Sequence, residues 1–251
     1  LRHAEATIPT ARIQFIKPLE PTNDSHRQVF VVDARHGHEP TIYAGAFEDC
    51  ANLAGTDWTA FRRGEPPQWA NVHEAPLLLI CTHGKRDPCC ARFGLELGKR
   101  VPASHRHLVW QTSHLGGHRF APTAVVFPHG YCYGRLTPEE APPLLDAIQK
   151  GELYRLDRLR GWTALSRPGQ LAEITWRQLR ADVQPGSIRV ERIDVLDDNL
   201  FRVHLQEADG AERAQFEIHA RMSETPLIKS CGKDPEPVLR VVVAPSVGTS
   251  A

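Results

Sequence analysis

The run PLLLICT, residues 76–82, constrains the fold more than any other stretch of this chain. Its apolar residues are continuous rather than alternating, which is the pattern of a strand buried on both faces. The next segment, CARFGLELGKRV, can form a helix with Phe93, Leu95 and Leu97 as apolar surface and Gly98 close to its end. HLVWQT (107–112) reads as a second buried strand, and APTAVVFPHGYCYGRL (121–136) as a hairpin that turns at Pro-His-Gly. TPEEAPPLLDAIQKG (137–151) carries the signals of a helix start. Thr137 suits the N-cap, Pro138 the first helical position, and Glu139 and Glu140 the positive helix end. The order strand, helix, strand, hairpin, helix is the layout of a small thioredoxin-like α/β domain.

The flanks have a different rhythm. Before residue 62, RIQFI, QVFVVDA and TIYAGAF are short apolar runs bounded by turn formers, followed by a short helix around Phe47 to Leu53. The proline-rich stretch RRGEPPQWANVHEAP (62–76) reads as a boundary. Beyond the central block, an amphipathic helix is expected from about Pro168 to Ala181. Four strands follow it, in SIRVERIDV, NLFRVHLQ, RAQFEIHA and PVLRVVVA. Phe201, Val203 and Leu205 alternate with polar residues, as expected of an antiparallel sheet with one covered face. The expected organisation is a β-rich segment 1–75, the thioredoxin-like block 76–151, and an α+β segment 152–251 with an antiparallel sheet.

Composition narrows the functional classes. Thirty basic residues balance thirty acidic ones among 251, so no global field recruits nucleic acid or an anionic membrane. No run of eighteen apolar residues exists, and LRHAEATIPT lacks the apolar stretch of a secretory signal, so the sequence reads as cytoplasmic. Six cysteines (50, 81, 89, 90, 132 and 231) and thirteen histidines are present. In that setting, thiolates that bind metal or do chemistry are expected over disulfides. Cys50, Cys132 and Cys231 read as core or surface thiols, and His105 and His107 as residues flanking a strand.

The ligand-type residues that remain form one constellation. CTHGKRDPCC separates Cys81 from Cys90 by eight residues, and HLGGH follows with His114 and His118. Cys81 ends one expected strand and His114 lies just past the next, so both loops leave the same sheet edge, where open α/β folds build their sites. Gly116 and Gly117 spoil a helix but allow a tight turn past a bulky group. Two thiolates and two imidazoles suit zinc, although structural zinc sites usually space their cysteines two to four residues apart. For a 2Fe-2S cluster, wider spacing is no obstacle. Cys81-Thr82-His83 imitates half of a Rieske motif, but its second half is missing, which leaves His83 as a loop residue. Arg86 and Asp87 are placed either to bond around the site or to pair with each other. A structural zinc module and a thiol oxidoreductase stay open as alternatives. The second is weakened because no C-x-x-C occurs and Cys81 to Arg86 is one residue short of a C-x5-R loop.

From Pro76 to about Leu136 the chain resembles the sucrase/ferredoxin-like proteins, thioredoxin-like ferredoxins with bis-histidinyl, non-Rieske clusters. The resemblance rests on C-x8-C, on H-x-G-G-H, and on the flanks HGKRDPCC and HLGGHRFAP. It departs in a gap of twenty-three residues between the motifs, at the short end of the family's range, and in Cys89, which adjoins Cys90. The resemblance implies a central ferredoxin domain with a 2Fe-2S cluster, Cys81 and Cys90 on one iron and His114 and His118 on the reducible iron. It further implies one-electron transfer rather than substrate conversion, and a redox partner protein, either a reductase or an electron acceptor. Neutral imidazoles in place of two thiolates remove negative charge, so a potential above that of plant-type ferredoxins is expected. No paired carboxylates stand out to support sucrose hydrolysis.

Overall fold

A computed structural model describes residues 2–21, 25–85, 87–228 and 232–245; Arg86 and Cys231 lie outside them. Helix α1 (Arg2–Thr7) and strand β1 (Ile16–Pro18) come first, then the hairpin β2 (Arg27–Asp33) and β3 (Thr41–Phe47). A 3-10 turn (Cys50–Gly55), α2 (Trp58–Arg62) and β4 (Asn71–Val72) follow. The central block holds β5 (Leu77–Cys81), α3 (Pro88–Lys99), β6 (Val109–Thr112), β7 (Thr123–Phe127), β8 (Tyr131–Gly134) and α4 (Ala141–Gln149). The chain continues through β9 (Leu159–Trp162) and α5 (Arg167–Arg180). It ends in the meander β10 (Ile188–Asp197), β11 (Leu200–Glu207), β12 (Arg213–Met222) and β13 (Leu239–Pro245).

These strands build three sheets, ordered β1-β6-β5-β7-β8-β9, β10-β11-β12-β13 and β2-β3-β4. In the largest, β5 and β6 run parallel while β5–β7 and β7–β8 are antiparallel. With α3 and α4 this is the expected thioredoxin-like order, and the chain is α/β. All five residues of β5 are buried, as its unbroken apolar run requires. Its Leu78 and Ile80, with Leu97 of α3 and Leu144, Leu145 and Ile148 of α4, belong to one core. The sheet takes in β1 from one flank and β9 from the other. The expected boundaries near 75 and 151 are therefore not edges of this sheet. The backbone pairing of β1 and β9 carries no side-chain signature that a sequence would reveal.

The second core lies between α5 and the meander and contains Ala172, Trp176, Ile188, Val203, Leu205, Phe216 and Ile218. Ile174 of the same helix belongs to the first core, so α5 is shared by both. A fully buried polar network fixes its pose. Arg177 Nε donates to Glu173 at 2.5 Å, Tyr131 Oη donates to Glu173 at 2.8 Å, and Arg177 Nη2 donates to Tyr131 Oη at 3.0 Å. Sequence alone did not reveal this network, because a Glu and an Arg four apart on a helix have the same spacing in a buried network as in an ordinary exposed pair.

One close approach governs how α3 meets the sheet. A Cβ added at Gly94 would lie 2.1 Å from the carbonyl oxygen of Cys81, whereas one at Gly98 would meet only the tip of Leu19 at 3.2 Å. Glycine-to-alanine changes in helix interiors normally stabilise by about 1 kcal/mol. Here the two sites should part company: Gly94→Ala should destabilise by about 1–3 kcal/mol through overpacking against backbone, while Gly98→Ala stays near neutral. Thermal unfolding of both variants checks this, and a raised midpoint for Gly94→Ala would contradict the packing.

Candidate metal centre

Parallel pairing aligns the ends of β5 and β6. Cys81, the last residue of β5, is in register with Thr112, the last residue of β6. The ladder then runs one step further, with Thr82 N donating to the Thr112 carbonyl at 3.2 Å. The β6 end is pinned from outside as well. Ser113 N donates to the Phe15 carbonyl at 2.8 Å, and Ser113 Oγ donates to Gln14 at 2.7 Å. His114 follows directly, so the two ligand loops leave one edge side by side.

Cys90 reaches the same place from α3. The Asp87 side chain caps that helix by accepting from Cys89 N at 2.9 Å, and Pro88 occupies its first turn. The helix buries Cys90, Gly94, Leu97 and Gly98, a stripe of helical period that turns Cys90 toward the strand end. Gly94 allows the approach described above. On the other loop, Gly116 (φ 88°) and Gly117 (φ 66°) both lie in the left-handed region, and Gly117 starts a 3-10 turn over His118–Phe120. The pair is thus a turn and not a helix face, which glycine permits.

The result is a compact donor group. Ligand atoms of Cys81, Cys90 and His114 all lie within 4.8 Å of one another, and both cysteines are fully buried. His118 is beside them: its Nδ1 is 3.5 Å from His114 Nε2, and the two rings stack 5.3 Å apart. The other nitrogen of His114, Nδ1, is buried without a hydrogen-bond partner. A buried polar atom left unpaired is costly, and a soft, nitrogen-accepting centre would satisfy it. The donor set fits a metal centre.

Electrostatics prepares the pair of thiols. A hydrogen bond from Cys90 is the main cause that pushes the Cys81 thiol down to about 5; burial opposes it, and backbone N–H groups of His83 and Leu115 and the His114 ring assist. Cys90 is pushed up by sharing its proton with Cys81 and by burial. One thiolate and one thiol therefore share a proton.

Other residues singled out in the sequence sit apart from this group. His83 lends its N–H to Cys81, while its ring stands 6.4 Å from that of His114, edge to face. Cys89 is half-buried and disulfide-bonded, so it is not a thiolate donor. Cys50 is exposed, and burial pushes the Cys132 thiol up to about 11. His105 bonds Ser104 and Gln149 in the turn before β6. Sequence reasoning missed Leu115 and Gly94, whose contributions come from backbone and from a missing side chain.

This whole arrangement falls within residues 6–161, which match the family described as sucrase/ferredoxin-like. The chain belongs to that family. The sucrase/ferredoxin-like region starts before β1 and ends inside β9, so it takes in the six-stranded sheet and leaves the β10–β13 meander outside. A curated relative, altered inheritance of mitochondria protein 32 of Meyerozyma guilliermondii, is 34% identical over 97 residues. The match covers 34% of this chain and 34% of that protein, so the chain spans about a third of the relative it matches. Among solved structures, a cysteine-to-serine variant of the thioredoxin-like 2Fe-2S ferredoxin from Aquifex aeolicus is similar at 18% identity. That comparison has a TM-score of 0.29 and covers 34% of this chain and 98% of the ferredoxin.

The shared proton yields a test on this sucrase/ferredoxin-like chain in its metal-free form. Titration followed by thiolate ultraviolet absorbance should show a single-thiolate step at about pH 5. Cys90→Ala should move that step up toward the ordinary thiol value, since the main donor is gone. An unchanged step in the variant, or none in the acid range, would contradict the coupling.

Proposed function

We propose that this protein holds a 2Fe-2S cluster on Cys81, Cys90, His114 and His118 and serves in one-electron transfer. The observation that carries the reading is the convergence of Cys81, Cys90 and His114 donor atoms within 4.8 Å, from three separate elements, with a nitrogen of His118 only 3.5 Å from His114. Family membership supports it, and so does the ferredoxin motif that the sequence resembles. When bound, the cluster would supply a centre that gains and loses one electron at a time.

The chain's own residues supply the rest. The end of β5 and the first turn of α3 hold two soft sulfur donors in a fully buried position, which keeps water from them. The glycine turn and the pinned end of β6 set the two imidazoles side by side on the half-exposed face of the site. All four donors come from the protein, so the arrangement implies no open position for a substrate. It suits passing electrons to a partner protein, with a reductase or an electron acceptor as the class expected.

The compactness of the Cys81, Cys90 and His114 group also suits a single zinc ion, and one experiment separates the readings. Protein purified without oxygen should be red-brown and contain two irons and two acid-labile sulfides per chain, in keeping with the proposed cluster. His118→Ala should lose iron and colour. Its loss should be at least as large as the roughly 10–100-fold drop in metal affinity that follows removal of even an outer ligand partner. One zinc per chain with no sulfide would replace this function with a structural module, and full visible absorbance in His118→Ala would remove His118 from the ligand set.

A further inference from the structure

The turn that carries His118 also carries a concentration of positive charge that the proposed cluster does not explain. Phe120 ends that turn, and three guanidinium groups gather on its ring. Their carbons lie 3.2 Å (Arg160), 4.6 Å (Arg119) and 5.0 Å (Arg135) from the ring centroid. No two of them can be farther apart than the sum of their distances to that ring. Phe120 is held in place, since its backbone carbonyl accepts from Arg135 N at 2.7 Å and Gly134 of β8 lies close against its Cβ and carbonyl. Cation–π attraction offsets part of the crowding, but three like charges still face one another.

The charge extends across elements. Arg167, in the first turn of α5, and Arg240, on β13, add to the repulsion on Arg119. A cation in the first turn of a helix opposes the helix dipole, and the Ser166 side chain makes no cap bond there. Arg240 in turn lies opposite Arg221 across the β12–β13 ladder, a like-charge pair that disfavours the sheet. Among the described residues, no carboxylate pairs with Arg119, Arg135, Arg160, Arg167 or Arg240, although acids and bases are equal in number overall. A fold that pays for this crowding at one spot, in a neutral chain, leaves the spot complementary to anions from outside. Every charge is arginine, whose planar fork matches carboxylates in pairs of bonds.

We propose that this arginine face is the docking surface for a carboxylate-rich face of the electron-transfer partner, which it brings onto the His118 side of the site. The inference rests on the one-electron reading above. Its location supports it, because Arg119 and Phe120 directly follow His118 and a partner seated on them approaches the imidazole end of the donor group. Charge complementarity of this kind sets encounter rates and orientation more than raw affinity, which is what a transient redox contact requires.

The test uses the purified full chain and a fluorescent peptide of ten glutamates as the acidic probe. The wild type should bind it in low salt and lose it as salt rises. Arg119→Gln/Arg135→Gln/Arg160→Gln should weaken binding by about tenfold or more, and Arg119→Gln alone by less. A control with the same charge change, Arg63→Gln/Arg192→Gln/Arg213→Gln, removes arginines that already face Glu65, Asp194 and Glu191 and should bind like the wild type. Equal weakening in patch and control variants would overturn the docking surface. So would dependence on the patch for a ten-nucleotide single-stranded DNA but not for the peptide, which would mark a nucleic-acid contact instead. Iron and sulfide measured on the same samples keep the two ideas apart: a patch-dependent peptide with no iron overturns the electron-transfer reading while the acidic contact stands.

Discussion

The parallel pairing of β5 with β6 is the interaction on which everything else depends. Because Cys81 and Thr112 are register partners at the two strand ends, the loops that follow start side by side, and a sulfur from one meets an imidazole from the other. Parallel pairs need a crossover between them, and the crossover here, α3, is what delivers Cys90. A single constraint, two buried strands ending together with a helix between, therefore accounts for three donors. Gly94 sets the tolerance of the arrangement, since a methyl group there would collide with the Cys81 carbonyl.

Much of this was legible in the residues. PLLLICT announced a strand buried on both faces, and β5 is buried along its whole length. Thr137 and Pro138 marked a helix start, and a capping box joins Thr137 to Glu140 before α4. HLGGH argued for a turn, and both glycines take positive φ. Features carried by backbone or by tertiary context were not legible. β1 and β9 join the central sheet through main-chain bonds that no side-chain pattern marks. The Glu173–Arg177 network left no mark either, because their spacing is the same in an exposed pair, and only the fold brings Tyr131 onto them. The arginine cluster was likewise invisible, since Arg119, Arg135, Arg160 and Arg240 are scattered through a chain with no net charge.

Helix α5 links the two halves of the chemistry. It packs on β9 of the central sheet and on the meander strands, its buried Arg177 ties it to β8 through Tyr131, and its first turn brings Arg167 toward Arg119. The meander lies outside the family match, yet through β13 it contributes Arg240 to the charge around the site. The part of the chain that holds the donors and the meander beyond it are thus joined by one helix.

The central claim, that two histidines and two cysteines of this chain hold a 2Fe-2S cluster, is tested most directly by pulsed electron paramagnetic resonance. The sample would be dithionite-reduced protein carrying nitrogen-15-labelled histidine. The account predicts strong hyperfine coupling from two histidine nitrogens, reduced or lost when either His114 or His118 is replaced. A paramagnetic iron–sulfur signal with no histidine coupling, or coupling that survives both replacements, would contradict it.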